Sequence, residues 1–498
     1  MKGIMLQGTS SDAGKSLLTA ALCRIFFNKG LNTAPFKSQN MSNNSYVTAD
    51  GMEIGRAQGV QAEAAGQEAT VYMNPILLKP SSDMQAEVVL FGKRDCVLSG
   101  MAYRTDYYQK GLQAIRTSLD ELSKRHSYII AEGAGSPAEV NLNDRELVNM
   151  KVAELAELPV ILVADIERGG VFASIVGTLA LLSPDDRNRV KGLIINKFRG
   201  DLELFQDGAD WLEEQTGLPV LGIIPFLHGH MIEGEDSLSI ASIFPEKTVY
   251  SVDIAVIHLP SISNYTDFEP FLYEKDVRIR FVAKASDFGN PDAVILPGTK
   301  STLADLKTIQ DNGLGESIKA HADAGKAVLG ICGGYQMLGE KLADPYGTDT
   351  GKQGESAVGL RLLPVSTEFG MIKETTRRKG FTAENCGLGR IPVDGYEIHM
   401  GVTKSESIYP FLEFPGGNGD AGTVSGSIIG TYMHHLFYND SFRTAWLNRL
   451  RKAKGLKPAA ELNLEAVKDL RYNLLAEQVE KHLDMEKLMC MAEGGCEQ

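Results

Sequence analysis

The chain has 498 residues, 43% hydrophobic and 23% charged, with a formal net charge of −14. That length exceeds one ordinary core, so a globular chain of this composition is expected to form two or three domains. The acidic balance argues against non-specific binding along a nucleic acid backbone, and no apolar run approaches the ~18 residues that span a bilayer.

Lys15 and Ser16 interrupt any signal-peptide core. Cys23, Cys96, Cys332, Cys386, Cys490 and Cys496 include no C-x-x-C pair, which reads as reduced thiols in a cytoplasmic protein without a zinc site. Ile4, Met5 and Leu6 predict a buried strand, and the apolar residues of Ser16–Asn28 predict a largely buried helix. Between them stands G-T-S-S-D-A-G-K-S, Gly8 to Ser16. Strand, glycine-rich turn and helix make a phosphate-binding loop: backbone N–H groups and the helix N-terminus face polyphosphate. Gly8, Thr9 and Gly14 shape the loop, Lys15 reaches the outer phosphates of ATP, and Ser16 ligates Mg²⁺.

Thr33–Phe36 is the next predicted strand, running into F-K-S-Q-N-M-S-N-N-S, too rich in Asn and Ser for a helix interior and read as a loop. Asp50–Gly66 reads as a small-residue helix bearing Glu53, Arg56, Gln58 and Gln61, either a receiving surface or a solvated face. Tyr128–Ala131 is a buried strand entering E-G-A-G-S-P-A-E, which makes Glu132 the first candidate for Mg²⁺, with Asp50 or Glu53 and Asp165 behind it. Val160–Ala164 leads to D-I-E-R-G-G, where Asp165 or Arg168 could serve the reacting groups. Leu193–Ile195 ends at Asn196, either an adenine-reading amide or a turn asparagine. Pro219–Ile224 completes a doubly wound parallel sheet through about Phe226. His228 and His230 lack a third ligand and read as ordinary loop residues.

Glu233–Lys247 is the expected domain boundary. Strands follow at Asp253–His258, Ala293–Leu296 and Ala327–Ile331, the last entering G-I-C-G-G-Y-Q-M-L-G. Gly330-Ile331-Cys332-Gly333-Gly334 matches the strand-to-helix elbow of hydrolases, with cysteine as the nucleophile. Ser427–Met433 delivers His434 and His435 at a strand end, and His434 is the best-placed base; His399 is a second, structural or substrate-facing candidate. The acid expected two residues beyond the base is Leu436 here, which leaves a Cys–His dyad whose orienting group is not evident. The organisation expected is an ATP-binding domain over 1–235, a glutaminase-type α/β domain over 250–450 and a helical extension over 451–498.

The spacing G-T-x-x-x-x-G-K-S resembles the phosphate loop of dethiobiotin synthetase. Together with P-F-K-S-Q-N-M-S-N-N-S, E-G-A-G-S-P-A-E-V-N-L, V-A-D-I-E-R-G-G-V-F-A, I-N-K-F-R-G-D, L-P-G-T-K, G-Y-E-I-H-M-G and G-T-Y-M-H-H-L-F, the chain resembles the cobyric acid synthase family over nearly its whole length to about residue 450. Members of that family often carry Gly where His435 stands, which leaves His434 as the base. The resemblance implies a P-loop amidoligase domain and a class I glutamine amidotransferase-like domain. It implies L-glutamine hydrolysis through a Cys332 thioester, backbone N–H groups of Gly298 and Gly333 around the oxyanion, and Gln336 against glutamine. It further implies ATP–Mg²⁺ phosphorylation of corrinoid carboxylates, b, d, e and g of adenosylcobyrinic acid a,c-diamide, and their amidation by the released ammonia. Cobyrinic acid a,c-diamide synthase, of the same architecture, is the nearest alternative, and a P-loop switch or partitioning protein is the alternative from another class.

Overall fold

The computed structural model describes residues 1–82, 85–99, 106–227, 244, 247–405, 409–415, 417 and 420–495. His228, His230 and most of Glu233–Lys247 lie outside the described residues. The described chain divides into two units, Met1–Leu238 with Lys468–Gln498, and Ser239–Val467.

In the first unit the strand Lys2–Gly8 is apolar on both faces because both faces are covered. Met5 faces a core that includes Leu112, Ile115, Ile175 and Leu212, while Ile4 and Leu6 face the opposite core with Leu18, Leu22 and Phe26. Six parallel strands run in the order Val220–Pro225, Val190–Phe198, Val160–Asp165, Lys2–Gly8, Tyr128–Glu132, Thr33–Phe36. The first strand is central, and the chain leaves it for the sheet's far edge before returning. That reversal opens a crevice at the strand ends, which is where ligands bind in doubly wound sheets.

Two regions differ from the sequence expectation. The polar stretch after Phe36 is not all loop: Gln39–Met41 pairs with Ile76–Ser82, and Ser45–Val47 pairs with Glu53–Gly55. The helix expected over Asp50–Gly66 is shorter, Arg56–Ala64, because Glu53 is committed to that strand pair. At the other end of the chain, Leu475, Val479 and Leu488 belong to the core that covers Lys15–Asn28. Arg24 binds Asp469 at 2.5 Å and Asn473 at 2.8 Å, and Tyr472 donates to Glu63 at 3.0 Å.

The second unit repeats the logic with the order Val277–Val282, Val252–Ile257, Ala293–Leu296, Ala327–Ile331, Ile428–Thr431, Thr423–Ser425, parallel except for the last. A second sheet is built on two long antiparallel strands, Val365–Thr382 and Pro392–Ser405. Cys23, Cys96, Cys332 and Cys386 are free, whereas Cys490 is disulfide-bonded, which departs from the expectation of six reduced thiols. Among the described residues no helix is long and apolar enough to cross a membrane.

Leu475 is fully buried against the helix that follows the phosphate loop. Leu475→Ala is expected to destabilise the first unit by about 2–5 kcal/mol through lost burial and a residual cavity, read from denaturant unfolding followed by first-unit probes.

Candidate functional site

Gly14 adopts φ +89°, a left-handed conformation that opens the helix Lys15–Asn28, and a Cβ there would meet the Asn196 amide. The sequence after the first strand therefore folds as a loop wrapped around Lys15, whose Nζ donates to the carbonyls of Ser10 at 3.1 Å and Gly135 at 3.3 Å. Register places Leu6 beside Glu132 and Phe36 beside Ala131, so strand ends bring Ser16, Glu132 and Lys37 together. Glu132, fully buried, accepts from Ser16 Oγ at 2.6 Å, Lys37 Nζ at 3.0 Å and Gln61 Nε2 at 2.7 Å. Burial alone would raise its pKa; Lys37, Ser16, Gln61 and Lys15 outweigh that and hold it below the usual carboxylate range. An ionised oxygen donor beside a helix-N-terminal serine hydroxyl suits a hard cation that also carries phosphate oxygens.

The other acidic candidates stand elsewhere. Asp50 lies on an exposed turn under the Thr48 hydroxyl, and Glu53 is buried against Lys79 and Ser45. Asp165 binds Lys197 at 2.9 Å. Asn196 donates from Nδ2 to the Ala13 carbonyl at 2.8 Å, so its amide braces the phosphate loop. Arg168 reaches Asp12 at 3.3 Å. Lys37 was not singled out from the sequence; its signal is a lysine one residue past a strand that pairs with the Glu132 strand.

In the second unit the strand Ala327–Ile331 ends at Cys332, held at φ +52° and ψ −110° before the short helix Gly333–Leu338. This strained turn is possible because a Cβ on Gly334 would stand 2.0 Å from the Leu296 carbonyl oxygen, a place only glycine can fill. Cys332 N–H donates to Thr431 O at 2.8 Å, and its thiol points to Ile398 O at 3.4 Å. His434 follows the strand Ile428–Thr431 and exchanges backbone hydrogen bonds with Tyr396, whose ring stacks on the imidazole at 5.3 Å. The same long strand, Pro392–Ser405, therefore flanks both Cys332 and His434.

His434 is buried, and its Nδ1 lies 2.7 Å from Asp267 Oδ2. Asp267 is the residue that sequence reading missed; it sits in the 3-10 segment Tyr265–Leu272, far from His434 in the chain. Asn264 Nδ2 lies 3.5 Å from His434 Nε2. Burial disfavours the charged ring, but the Asp267 carboxylate and then the Cys332 sulfur outweigh it and raise the His434 pKa from 6.5 to about 10. Gly298 lies against the ring, where a Cβ would be 3.0 Å from His434 Cε1, and Gly333 packs on Thr299. Gln336 is clamped, accepting from Thr302 Oγ1 at 3.1 Å and donating to Tyr432 Oη at 3.0 Å. His399 donates from Nδ1 to Gly401 O at 2.8 Å, and its ring is stacked on Tyr432.

A histidine with a raised folded pKa stabilises the fold fully below its unfolded pKa, and that contribution is lost as pH rises through the folded value. Between pH 6.5 and about 10 the folded chain holds the extra proton on His434. Stability of the second unit is expected to fall across that window by up to about 1.4 kcal/mol per pH unit, and His434→Ala should remove that slope. Denaturant midpoints at pH 7 and pH 9 for both chains check this.

Residues 4–234 match the CobQ/CobB/MinD/ParA nucleotide-binding domain model, and residues 253–442 match the CobB/CobQ-like glutamine amidotransferase domain model. The cobyric acid synthase of Geobacillus thermodenitrificans is 50% identical over 490 residues, 97% of each chain. That of Geobacillus kaustophilus is 49% identical over 500 residues, 99% of this chain and 98% of the relative. The cobyric acid synthase of Trichodesmium erythraeum is 46% identical over 496 residues, 98% of this chain and all of the relative. With both domain models in order and relatives this similar from end to end, the chain belongs to the cobyric acid synthase family.

Proposed function

We propose that the chain amidates the b, d, e and g side-chain carboxylates of adenosylcobyrinic acid a,c-diamide, using ATP and glutamine, to give adenosylcobyric acid. Family membership supports the substrate and the glutamine-dependent ligase activity. The observation that carries the glutaminase half is Cys332 in its strained elbow with the buried His434 beside it.

A carboxylate does not react with ammonia directly, so the reaction divides in two. In the first unit, Lys15 and the loop N–H groups neutralise the phosphates of ATP, while Ser16 and Glu132 would hold Mg²⁺, which supplies further positive charge. Transfer of the γ-phosphoryl group to the corrinoid carboxylate gives ADP and an acyl phosphate. Ammonia then attacks the acyl carbon and inorganic phosphate leaves. In the second unit, the Cys332 thiolate, paired with the His434 imidazolium that holds its proton, attacks the glutamine amide carbon, and the imidazolium delivers that proton as ammonia departs. Water releases glutamate from the thioester and restores the thiolate–imidazolium pair. The Gly298 and Gly333 N–H groups would hold the oxyanion, and Gln336 would meet the amino acid end of glutamine.

Cys332→Ala is expected to lose glutamine-dependent amidation by about 10³-fold or more while retaining ATP-dependent amidation with concentrated ammonium chloride. Raising the pH should help that variant more than the wild type, because only unprotonated ammonia attacks. Lys15→Ala should lose amidation with either nitrogen source while Cys332 still reacts with a glutamine-like electrophile. Corrinoid product mass analysis reads every arm. Full glutamine-dependent activity in Cys332→Ala would reject the nucleophile, and normal synthesis by Lys15→Ala would reject the phosphate loop.

A further inference from the structure

The position two residues beyond the base is Leu436, fully buried and without a titratable group. Both oxygens of Asp267 are nevertheless spent on the His434–His435 pair: Oδ2 faces His434 Nδ1 at 2.7 Å, and Oδ1 accepts the His435 N–H at 2.9 Å. The two contacts fix the carboxylate against rotation. Because an ionised carboxylate only accepts, the proton between it and the ring belongs to Nδ1, leaving Nε2 for the sulfur side.

The elements carrying acid and base are also locked to each other. Phe271 packs on Phe437 with ring centroids 4.5 Å apart, Tyr438 Oη donates to Thr266 O at 3.2 Å and to Glu269, and Asp267 N–H donates to Asn264 O at 3.0 Å. Asn264 itself takes φ +52° to begin the segment. A carboxylate placed merely to fill space would not need that degree of support at 1% exposure.

We propose that Asp267 is the positioning residue of the glutaminase centre, a remote substitute for the acid absent after His434, which fixes the imidazole tautomer and stabilises the imidazolium formed when Cys332 gives up its proton. The assignment rests on the Cys332–His434 reading above. The proton balance is closed. Nε2 holds the proton that Cys332 has given up, delivers it to the amide nitrogen as the C–N bond breaks, and takes another from water as the thioester is hydrolysed and the thiolate leaves, which restores the imidazolium–thiolate pair. Asp267 stays ionised throughout and exchanges no proton.

The charged or titratable groups against the ring are Asp267 from the Tyr265–Leu272 segment, Cys332 from the elbow, Tyr396 from the long strand and His435 in sequence. The carboxylate among them keeps the imidazolium stable up to about pH 10. Removing it should therefore bring the alkaline limb of glutamine turnover down toward the ordinary histidine range.

The test uses the full chain and compares Asp267→Asn, Asp267→Glu and Cys332→Ala with the wild type. Each is assayed for glutamine hydrolysis over a pH series and for corrinoid amidation with ammonium chloride. For Asp267→Asn, kcat for glutamine should fall about 10²–10⁴-fold with a nearly unchanged KM. Its alkaline limb should move down by more than one pH unit, ammonium-dependent amidation should persist, and Asp267→Glu should recover part of kcat. A kcat within about threefold of wild type, or a fall with an unshifted pH limb and no recovery by glutamate, would overturn the positioning role. So would equal loss with ammonium, which marks a structural collapse. Cys332→Ala separates the two readings: glutamine hydrolysis surviving there overturns the nucleophile itself, whereas hydrolysis lost there and intact in Asp267→Asn overturns only Asp267.

Discussion

A carboxylate removed from water stays ionised only where cations and donors are aimed at it, and each half of this chain is arranged around one such group. Glu132 has a serine hydroxyl, a lysine and a glutamine amide on its two oxygens, and Asp267 has an imidazole and a backbone N–H. Breaking such a set by removing one partner strands a buried charge, which costs far more than the net worth of any single bond. The partners come from separate elements in both cases. Holding the carboxylate therefore holds the loop after the first strand to two others, and the segment 264–272 to the base.

Parallel sheets make this convergence possible. Their crossover connections return each strand in the same direction, so every strand delivers its C-terminal residue to one edge. In the first unit that edge receives Gly8, Lys37, Glu132 and Asn196; in the second it receives Cys332 and the turn that carries His434. The antiparallel hairpin of the second unit adds what the parallel sheet lacks. Its strand Pro392–Ser405 supplies the Ile398 carbonyl to Cys332 and the Tyr396 backbone to His434.

Legibility in the sequence followed the range of the interaction that fixes each feature. The glycine-rich turn Gly8–Ser16 and the turn at Cys332 are set by glycines, a strand before and a helix after, all within about a dozen residues, and both have the strand–turn–helix backbone those residues predicted. Parallel core strands such as Ala293–Leu296 and Ala327–Ile331 were legible to the residue, since burial on both faces leaves continuous apolar runs. Val277–Val282 was not, because it is an edge strand whose Arg278 and Arg280 point to Asp253 and break the run. Asp267 was invisible for a different reason. It is 167 residues from His434, in a 3-10 segment that carries no motif, and the packing of Phe271 on Phe437 and the Tyr438 bonds to Thr266 and Glu269 bring the two together. Lys37 needed strand register, and Asp50 and Glu53, ranked behind Glu132 from the sequence, stand away from it, one on an exposed turn and the other paired with Lys79.

The contacts of the two first-unit lysines bear on how a nucleotide would be received. Lys15 Nζ rests on two neutral backbone carbonyls, Ser10 O and Gly135 O, at distances above 3 Å. Exchanging those acceptors for phosphate oxygens replaces ordinary hydrogen bonds with charge-assisted ones, which are shorter and roughly twice as strong. Lys37 instead faces the buried Glu132 at 3.0 Å, and both side chains are almost wholly removed from water. Drawing Lys37 away would leave that carboxylate with less compensation unless another cation took its place. A divalent ion held between Ser16 and Glu132 would supply that compensation.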